Sequence, residues 1–298
     1  MAKSFRDTLK TFLKPPIRLF LGILPVSALS MLVKARTSFL DYLPLGKQYV
    51  FKRYLGHLKV NINTTYHLER QLLTGFYEPD LLEVIRRFVN PGDVCFDIGA
   101  NIGAVSLARA QQTGKAGKVY AIEPGTAIYE RLCANIALNP EIHEVITPFR
   151  IGFSEKSEVR TWVEDPKNPG NASFVMLEQG LKESLQLTSL DEFTEFHKIG
   201  RIDFMKIDVE GMEYEVICGG INAIEKHLPV LYYETGIYEK GFWAEVQKGK
   251  KVFLDMEKML TKLGYSFYKH SPQGLQGTRY PDLGYNTLAL PHDKASSL

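Results

Sequence analysis

Asp97-Ile98-Gly99-Ala100-Asn101-Ile102-Gly103 decides the fold of this 298-residue chain. It directly follows a short apolar run, Val94–Ile98, and opens a helical pattern over residues 102–112. That is the strand–turn–helix context a nucleotide-binding turn requires. Gly99 permits close backbone approach, Asn101 tolerates left-handed geometry better than most residues, and Gly103 lets the helix pack on the strand. Asp97 places an acid at the carboxyl end of the strand, where open α/β sheets bind their ligands.

Working outward, residues 81–89 read as a helix stopped by Asn90-Pro91-Gly92, and apolar runs at 119–122, 146–153, 204–209 and 230–233 read as strands. Helical patterns at 128–137, 189–196 (with Ser189 as N-cap) and 213–226 fall among them. Strand then helix, repeated, implies a parallel sheet covered on both faces. The ending differs. Residues 265–269 and 286–290 are strand-like, joined by a turn-rich segment with no helical pattern, so they should be antiparallel. The expected fold is α/β, a doubly wound sheet finished by an antiparallel C-terminal hairpin.

The glycine pattern of a dinucleotide site is absent, since position 101 is Asn and position 104 is Ala. A carboxylate at Asp97 would also oppose a pyrophosphate on the helix N-terminus. An acid there suits a cationic group, such as an amino acid ammonium. The second strand ends at Glu123-Pro124, and an acid in that place can accept both ribose hydroxyls. A ribose plus a charged amino group, without phosphate, points to S-adenosyl-L-methionine.

The chain resembles the FkbM family of S-adenosylmethionine-dependent methyltransferases. The likeness runs from about Tyr77 to Glu234. It rests on Tyr77-Glu78-Pro79, Pro91-Gly92-Asp93 before the Asp97–Gly103 turn, Glu123-Pro124, Leu190-Asp191-Glu192-Phe193, and the run from Ile202 to Gly211 that contains Lys206-Ile207-Asp208-Val209-Glu210. The resemblance implies a class I methyltransferase (Rossmann-like) fold with a seven-stranded sheet. It implies that Asp97, Gly99, Asn101 and Gly103 line the methionine end of the cofactor, and that Glu123 holds the ribose. It further implies that Tyr77 and Glu78 close over the pocket, and that Gly152–Ser154 flanks the adenine, with Ser154 as a cofactor contact.

Phe204, Lys206 and Asp208 share one strand face, so Lys206 is a buried cation that needs a partner. Asp208 and Glu210 stand at the topological switch point, where the methyl should lie. Methyl transfer to oxygen needs alignment and profits from a base. Asp208 is the first candidate for that base and Glu210 the second; pairing with Lys206 and capping of the helix near Gly211 are the structural alternatives. Asp208, Glu210 and Glu234 could instead hold Mg²⁺, although their spacing does not call for a metal. His270 is the one histidine expected near the cleft, and Cys95 reads as a buried apolar residue.

A composition 45% hydrophobic and 23% charged excludes wholesale disorder. Three cysteines without metal-ligand spacing suggest a reducing, cytoplasmic setting. Residues 1–60 hold eleven Lys or Arg against Asp7 and Asp41, a formal +9, so the remainder carries −7 of the chain's net +2. The body therefore lacks the basic stripe of a nucleic-acid binder. A basic amphipathic pattern to residue 14, then an uncharged stretch from Leu19 to Val33 interrupted by Pro25, marks residues 1–70 as a helical extension, with three readings open for its first part: packing on the body, peripheral contact with a membrane, or a signal or transmembrane segment. Residues 71–298 form the methyltransferase domain. The expected activity is O-methylation of a small-molecule, glycan or glycolipid acceptor. The alternatives are an NAD-dependent oxidoreductase and a non-catalytic nucleoside-binding module.

Overall fold

The computed structural model describes residues 46–73, 77–164, 180–236 and 252–296. The chain divides into two units, Met1–Pro79 with Ala137–Asn139, and Asp80–Ile136 with Pro140–Leu298. The boundary expected after residue 70 thus falls after residue 79.

The basic amphipathic pattern and uncharged stretch of the first forty residues lie outside the described residues. Residues 48–63 correct the expectation of a helical extension. Strands β1 (Gln48–Tyr54) and β2 (Leu58–Asn63) form an antiparallel hairpin, and only His67–Leu72 (α1) is helical among the described residues before Pro79. The reason is a period of two in β2, where Leu58, Val60 and Ile62 are buried and the residues between them are not. A register shift between Phe51 and Tyr54 buries both aromatics while Lys52 and Arg53 stay exposed. Asn139 continues this unit by bonding both backbone groups of Lys59, at 2.7 and 2.8 Å.

The second unit contains β3 (Val94–Ile98), β4 (Lys118–Ile122), β5 (Ile146–Phe149), β9 (Phe204–Ile207), β10 (Val230–Glu234), β11 (Tyr265–Ser271), β12 (Gly274–Gly277) and β13 (Asn286–Pro291) in one sheet. Their spatial order is β12-β11-β13-β10-β9-β3-β4-β5. The five strands from β10 to β5 are parallel, and β13, β11 and β12 pair antiparallel. This is the expected doubly wound sheet with its antiparallel ending, and β13 slots between β10 and β11. The sheet has eight strands rather than seven, because Gly274–Gly277 adds an edge strand whose Gly-Leu-Gln-Gly sequence carries no hydrophobic period.

The helices of this unit are α2 (Pro79–Phe88), α3 (Ala104–Thr113), α4 (Thr126–Ala137), α5 (Leu190–Phe196), α6 (Glu213–Gly219), α7 (Ile221–His227), α8 (Val252–Lys262) and α9 (His292–Ala295). Ser189 caps α5 in a reciprocal box with Glu192, as expected. The single helix expected over 213–226 is broken at Gly219–Gly220, where the Ser154 carbonyl packs into the space a side chain would fill. One core lies on the face where Phe96, Ile98, Met205, Ile207 and Leu231 meet α5 to α8. Each large apolar side chain buried there contributes about 1.5–3 kcal/mol.

A second sheet departs from the expected fold. β6 (Gly152–Phe153), β7 (Glu158–Glu164) and β8 (Leu181–Thr188) run in the order β6-β8-β7. The third strand expected from 146 to 153 therefore splits between two sheets, and much of the polar stretch after it is a β-hairpin. Its strands bury only Trp162, Val163, Leu185 and Leu187, too few apolar positions to stand out from a loop. Residues 165–179 and 237–251 lie outside the described residues.

Candidate functional site

The turn between β3 and α3 is built from three consecutive alternations into left-handed backbone: φ is +79° at Gly99, +51° at Asn101 and +87° at Gly103. Asn101 adopts the conformation its side chain tolerates and accepts a hydrogen bond from the Ile102 N–H at 2.7 Å. The N–H groups of Gly99 and Ala100 both donate to the Ile122 carbonyl, at 3.0 and 2.9 Å, which ties the turn to the tip of β4. At Gly99 a Cβ would lie 1.8 Å from the Asp208 carbonyl oxygen. Gly99→Ala therefore forces backbone against backbone as well as a strained φ. It should abolish cofactor binding and lower the melting temperature, checked by calorimetry and circular dichroism; normal binding would show that the turn is not this tightly seated.

Asp97 is where structure and expectation part. Its side chain is 0% exposed and lies 2.9 Å from Arg109 Nη1, itself 0% exposed. This is ion-pair distance without hydrogen-bond alignment. The Ser106 hydroxyl donates to Asp97 Oδ2 at 2.5 Å, and Lys206 Nζ stands 3.9 Å from Oδ1. Burial alone would raise the carboxyl, but Arg109, Lys206 and Ser106 outweigh it and hold it below its ordinary range. The guanidinium of Arg109 also lies 5.0 Å from the centre of the Phe204 ring. Asp97 thus anchors α3 to the sheet from beneath the turn, and no open face remains to meet a ligand's ammonium. Ser106 and Arg109, which no sequence motif singles out, lie on the Asp97 side of α3.

Glu123 ends β4 as expected, nearly buried. Its two oxygens accept from the Asn101 N–H at 2.9 Å and the Gly125 N–H at 3.1 Å. Each oxygen keeps a second lone pair, so the carboxylate still suits a vicinal diol. Burial pushes it up to about 7. Trp162 of β7 closes on the loop behind it, with Nε1 3.0 Å from where a Gly125 side chain would begin. Nothing in the sequence signals this contact, because the residues of β7 read as a loop.

Ser154 does not present its side chain at a strand tip. It is fully buried, and its hydroxyl donates to Glu158 at 2.6 Å. Tyr77 and Glu78 lie in the bend before α2, in the first unit, where Glu78 has a φ of +47°.

At the tips of β9 and β10 stand four acids. Asp208 is 40% exposed, with Lys206 Nζ 2.9 Å from Oδ2, so the structural pairing with Lys206 exists and leaves the carboxylate reachable. Lys206 also donates to the Gly99 carbonyl at 3.0 Å. Burial alone would lower this ammonium, but Asp208 and Asp97 outweigh it and hold it above its ordinary value. Glu210 has a φ of +54°. Burial, then its acidic neighbours, pushes it up to about 9, so it is protonated at neutral pH and is a donor rather than a base. The capping expected of Glu210 is carried out by Glu213, which accepts from the Val209 and Gly211 N–H groups at 3.0 and 3.4 Å. Burial pushes Glu213 up to about 7 and Glu234 up to about 8.

Other candidates fall away. His270 lies on β11 beside Asp80, 3.9 Å from its carboxylate, with β13 and β10 between it and β9. Burial pushes the Cys95 thiol up to about 12, so it is inert. Among the described residues no three metal-ligating side chains form a metal-holding group, and no helix is long and apolar enough to cross a membrane. A groove of about 560 Å³ between α5 and α7 sits at the opposite, amino-terminal ends of β9 and β10.

Residues 97–267 match the family described as the methyltransferase FkbM domain. Curated relatives include a hexuronic acid methyltransferase, AglP, of Haloferax volcanii, 28% identical over 50% of this chain. They also include methyltransferase sdnD of Sordaria araneosa, 30% identical over 41% of this chain. The aligned region spans 58% of each relative. Among solved structures, an FkbM methyltransferase of Methylobacillus flagellatus is similar with a TM-score of 0.44 and 17% identity, covering 74% of this chain and 54% of that one.

Proposed function

The chain belongs to the FkbM methyltransferase family, and on that premise we propose that it moves a methyl group from S-adenosyl-L-methionine to a hydroxyl oxygen of a glycan, glycolipid or secondary metabolite. One observation carries the reading: the left-handed turn at Gly99–Gly103 is bonded through Asn101 to a carboxylate at the next strand tip, with the reachable Asp208 beside it. The fit to the cofactor is good at the turn and at Glu123. It is poor at Asp97, whose oxygens are engaged and buried.

When bound, the cofactor supplies an electrophilic methyl on a sulfonium. The residues of this chain do the rest. Glu123 holds the ribose hydroxyls, and the turn backbone approaches the nucleoside closely because Gly99 has no side chain. Asp208 accepts or orients the proton of the acceptor hydroxyl, work worth about 10²–10⁴-fold. Glu210, protonated at neutral pH, offers a hydrogen bond instead. Hexuronic acid methylation by the named relative supports a sugar acceptor. The basic, apolar residues 1–40 support a lipid-linked acceptor met at the cytoplasmic face of a membrane.

The test is transfer of labelled methyl from S-adenosylmethionine to methyl glycosides and to lipid-linked glycans in anionic vesicles, with and without residues 1–40. Transfer to oxygen is the expected result, with the vesicle reaction weakened by the deletion. NADH binding without S-adenosylmethionine binding would reverse the reading in favour of an oxidoreductase. Equal vesicle activity of both forms would remove the membrane role alone.

Binding should also release protons. Ribose hydroxyls stabilise the ionised form of Glu123, which is half protonated near pH 7 before the ligand arrives. Affinity should rise with pH through 7, with about half a proton released there. Calorimetry in buffers of different ionisation enthalpy measures this; proton uptake would take Glu123 out of the ribose site.

A further inference from the structure

Lys206 is a charged residue at the centre of the site to which the methyl-transfer reading assigns no task. It is 7% exposed and sits where the tips of β3 and β9 adjoin, with Lys206 in register with Asp97. Its ammonium reaches the carbonyl of the cofactor turn, Gly99, at 3.0 Å and the carboxylate of Asp208 at 2.9 Å. Charge neutralisation of Asp97 does not require it, because Arg109 already stands 2.9 Å from that carboxylate. The backbones of turn and tip are locked separately: the Asp208 N–H donates to the Ile98 carbonyl at 3.0 Å, and the Asp208 carbonyl fills the space beside Gly99. Those contacts leave the Asp208 side chain open to rotation.

We infer that Lys206 is a positioning residue for methyl transfer, holding the Asp208 carboxylate in register with the turn that carries the donor. The inference rests on the reading of Asp208 as the group that aligns the acceptor. An in-line transfer tolerates little error in that alignment; a misplacement of about 1 Å costs on the order of 10²-fold. The ammonium suits the task because it can bond two acceptors at once, one on the donor side and one on the acceptor side.

Two variants test this. Lys206→Met keeps the length of the stem and removes the charge; Lys206→Gln keeps a donor without charge. Melting and S-adenosylmethionine calorimetry establish that they fold and bind. Turnover is then measured in a double-mutant cycle with Asp208→Asn, on whichever of methyl glucopyranoside, methyl galactopyranoside and methyl glucuronoside the wild type methylates fastest. The expected result is unchanged cofactor affinity, kcat lower by about 100-fold with little change in acceptor KM, and no further loss when either Lys206 variant is added to Asp208→Asn. Near-normal kcat, or losses that multiply in the double variant, would overturn the inference and leave the role of Asp208 standing. Near-normal turnover by Asp208→Asn alone would remove that role instead. Failure of both Lys206 variants to fold would assign the residue to the scaffold and equally overturn the inference.

Discussion

Asp208→Asn should bind S-adenosylmethionine as tightly as the wild type and transfer its methyl about 10²–10⁴-fold more slowly. The substitution is mild for the fold. Lys206 bonds to Oδ2, and an amide oxygen can still accept there. The carboxylate is 40% exposed, the buried Lys206 ammonium keeps the Gly99 carbonyl at 3.0 Å and Asp97 at 3.9 Å, and the backbone contact with Ile98 is untouched. The loss is confined to the negative charge that accepts or orients the acceptor's proton. In the wild type, burial and then the Asp208 charge push Glu210 up to about 9 and Glu234 up to about 8, so Asp208 is the acid of this group that serves at neutral pH. Single-turnover kinetics with labelled cofactor separates the chemical step from binding. Turnover within a factor of a few of wild type would reduce Asp208 to a partner for Lys206.

Asp97→Ala should unfold the domain more readily, by about 3–5 kcal/mol, because it strands the fully buried Arg109 guanidinium without its counter-ion. It also removes the acceptor of the Ser106 hydroxyl and the more distant of the two carboxylates near Lys206. Against a typical domain stability of about 5–15 kcal/mol, that loss is large. Cofactor binding would fail only as the fold fails, which urea denaturation monitored with and without S-adenosylmethionine reads directly. A variant that melts like wild type yet no longer binds the cofactor would restore Asp97 to the ligand role that its place in the turn suggests.

These two acids separate the legible from the illegible. Asp97 and Asp208 are both recognisable in the sequence as acids at strand tips, and the structure puts the tips where expected. Their roles are not recognisable, because role depends on which cations the fold brings beside each. The same holds for Ser154, whose position after the third strand suggests a cofactor contact while its hydroxyl belongs to Glu158. Glu213 and Trp162 escape a reading of the sequence for a different reason. A capping acid at a helix start and an aromatic in a sparsely apolar strand look ordinary until the loops they close are seen.

The linear order of residues was enough for the parallel sheet, its antiparallel ending and the strand–turn–helix at Gly99. Hydrophobic period and the backbone freedom of Gly99, Asn101 and Gly103 are local properties, and local properties are written in adjacent residues. Tertiary structure alone decided that Asp97 is sealed by Arg109 and that Lys206 bridges to a carbonyl 107 residues away. Burial and charge pairing arise between segments distant in sequence, so they depend on strand register and packing, and they set which carboxylate is ionised, which is neutral and which can be reached.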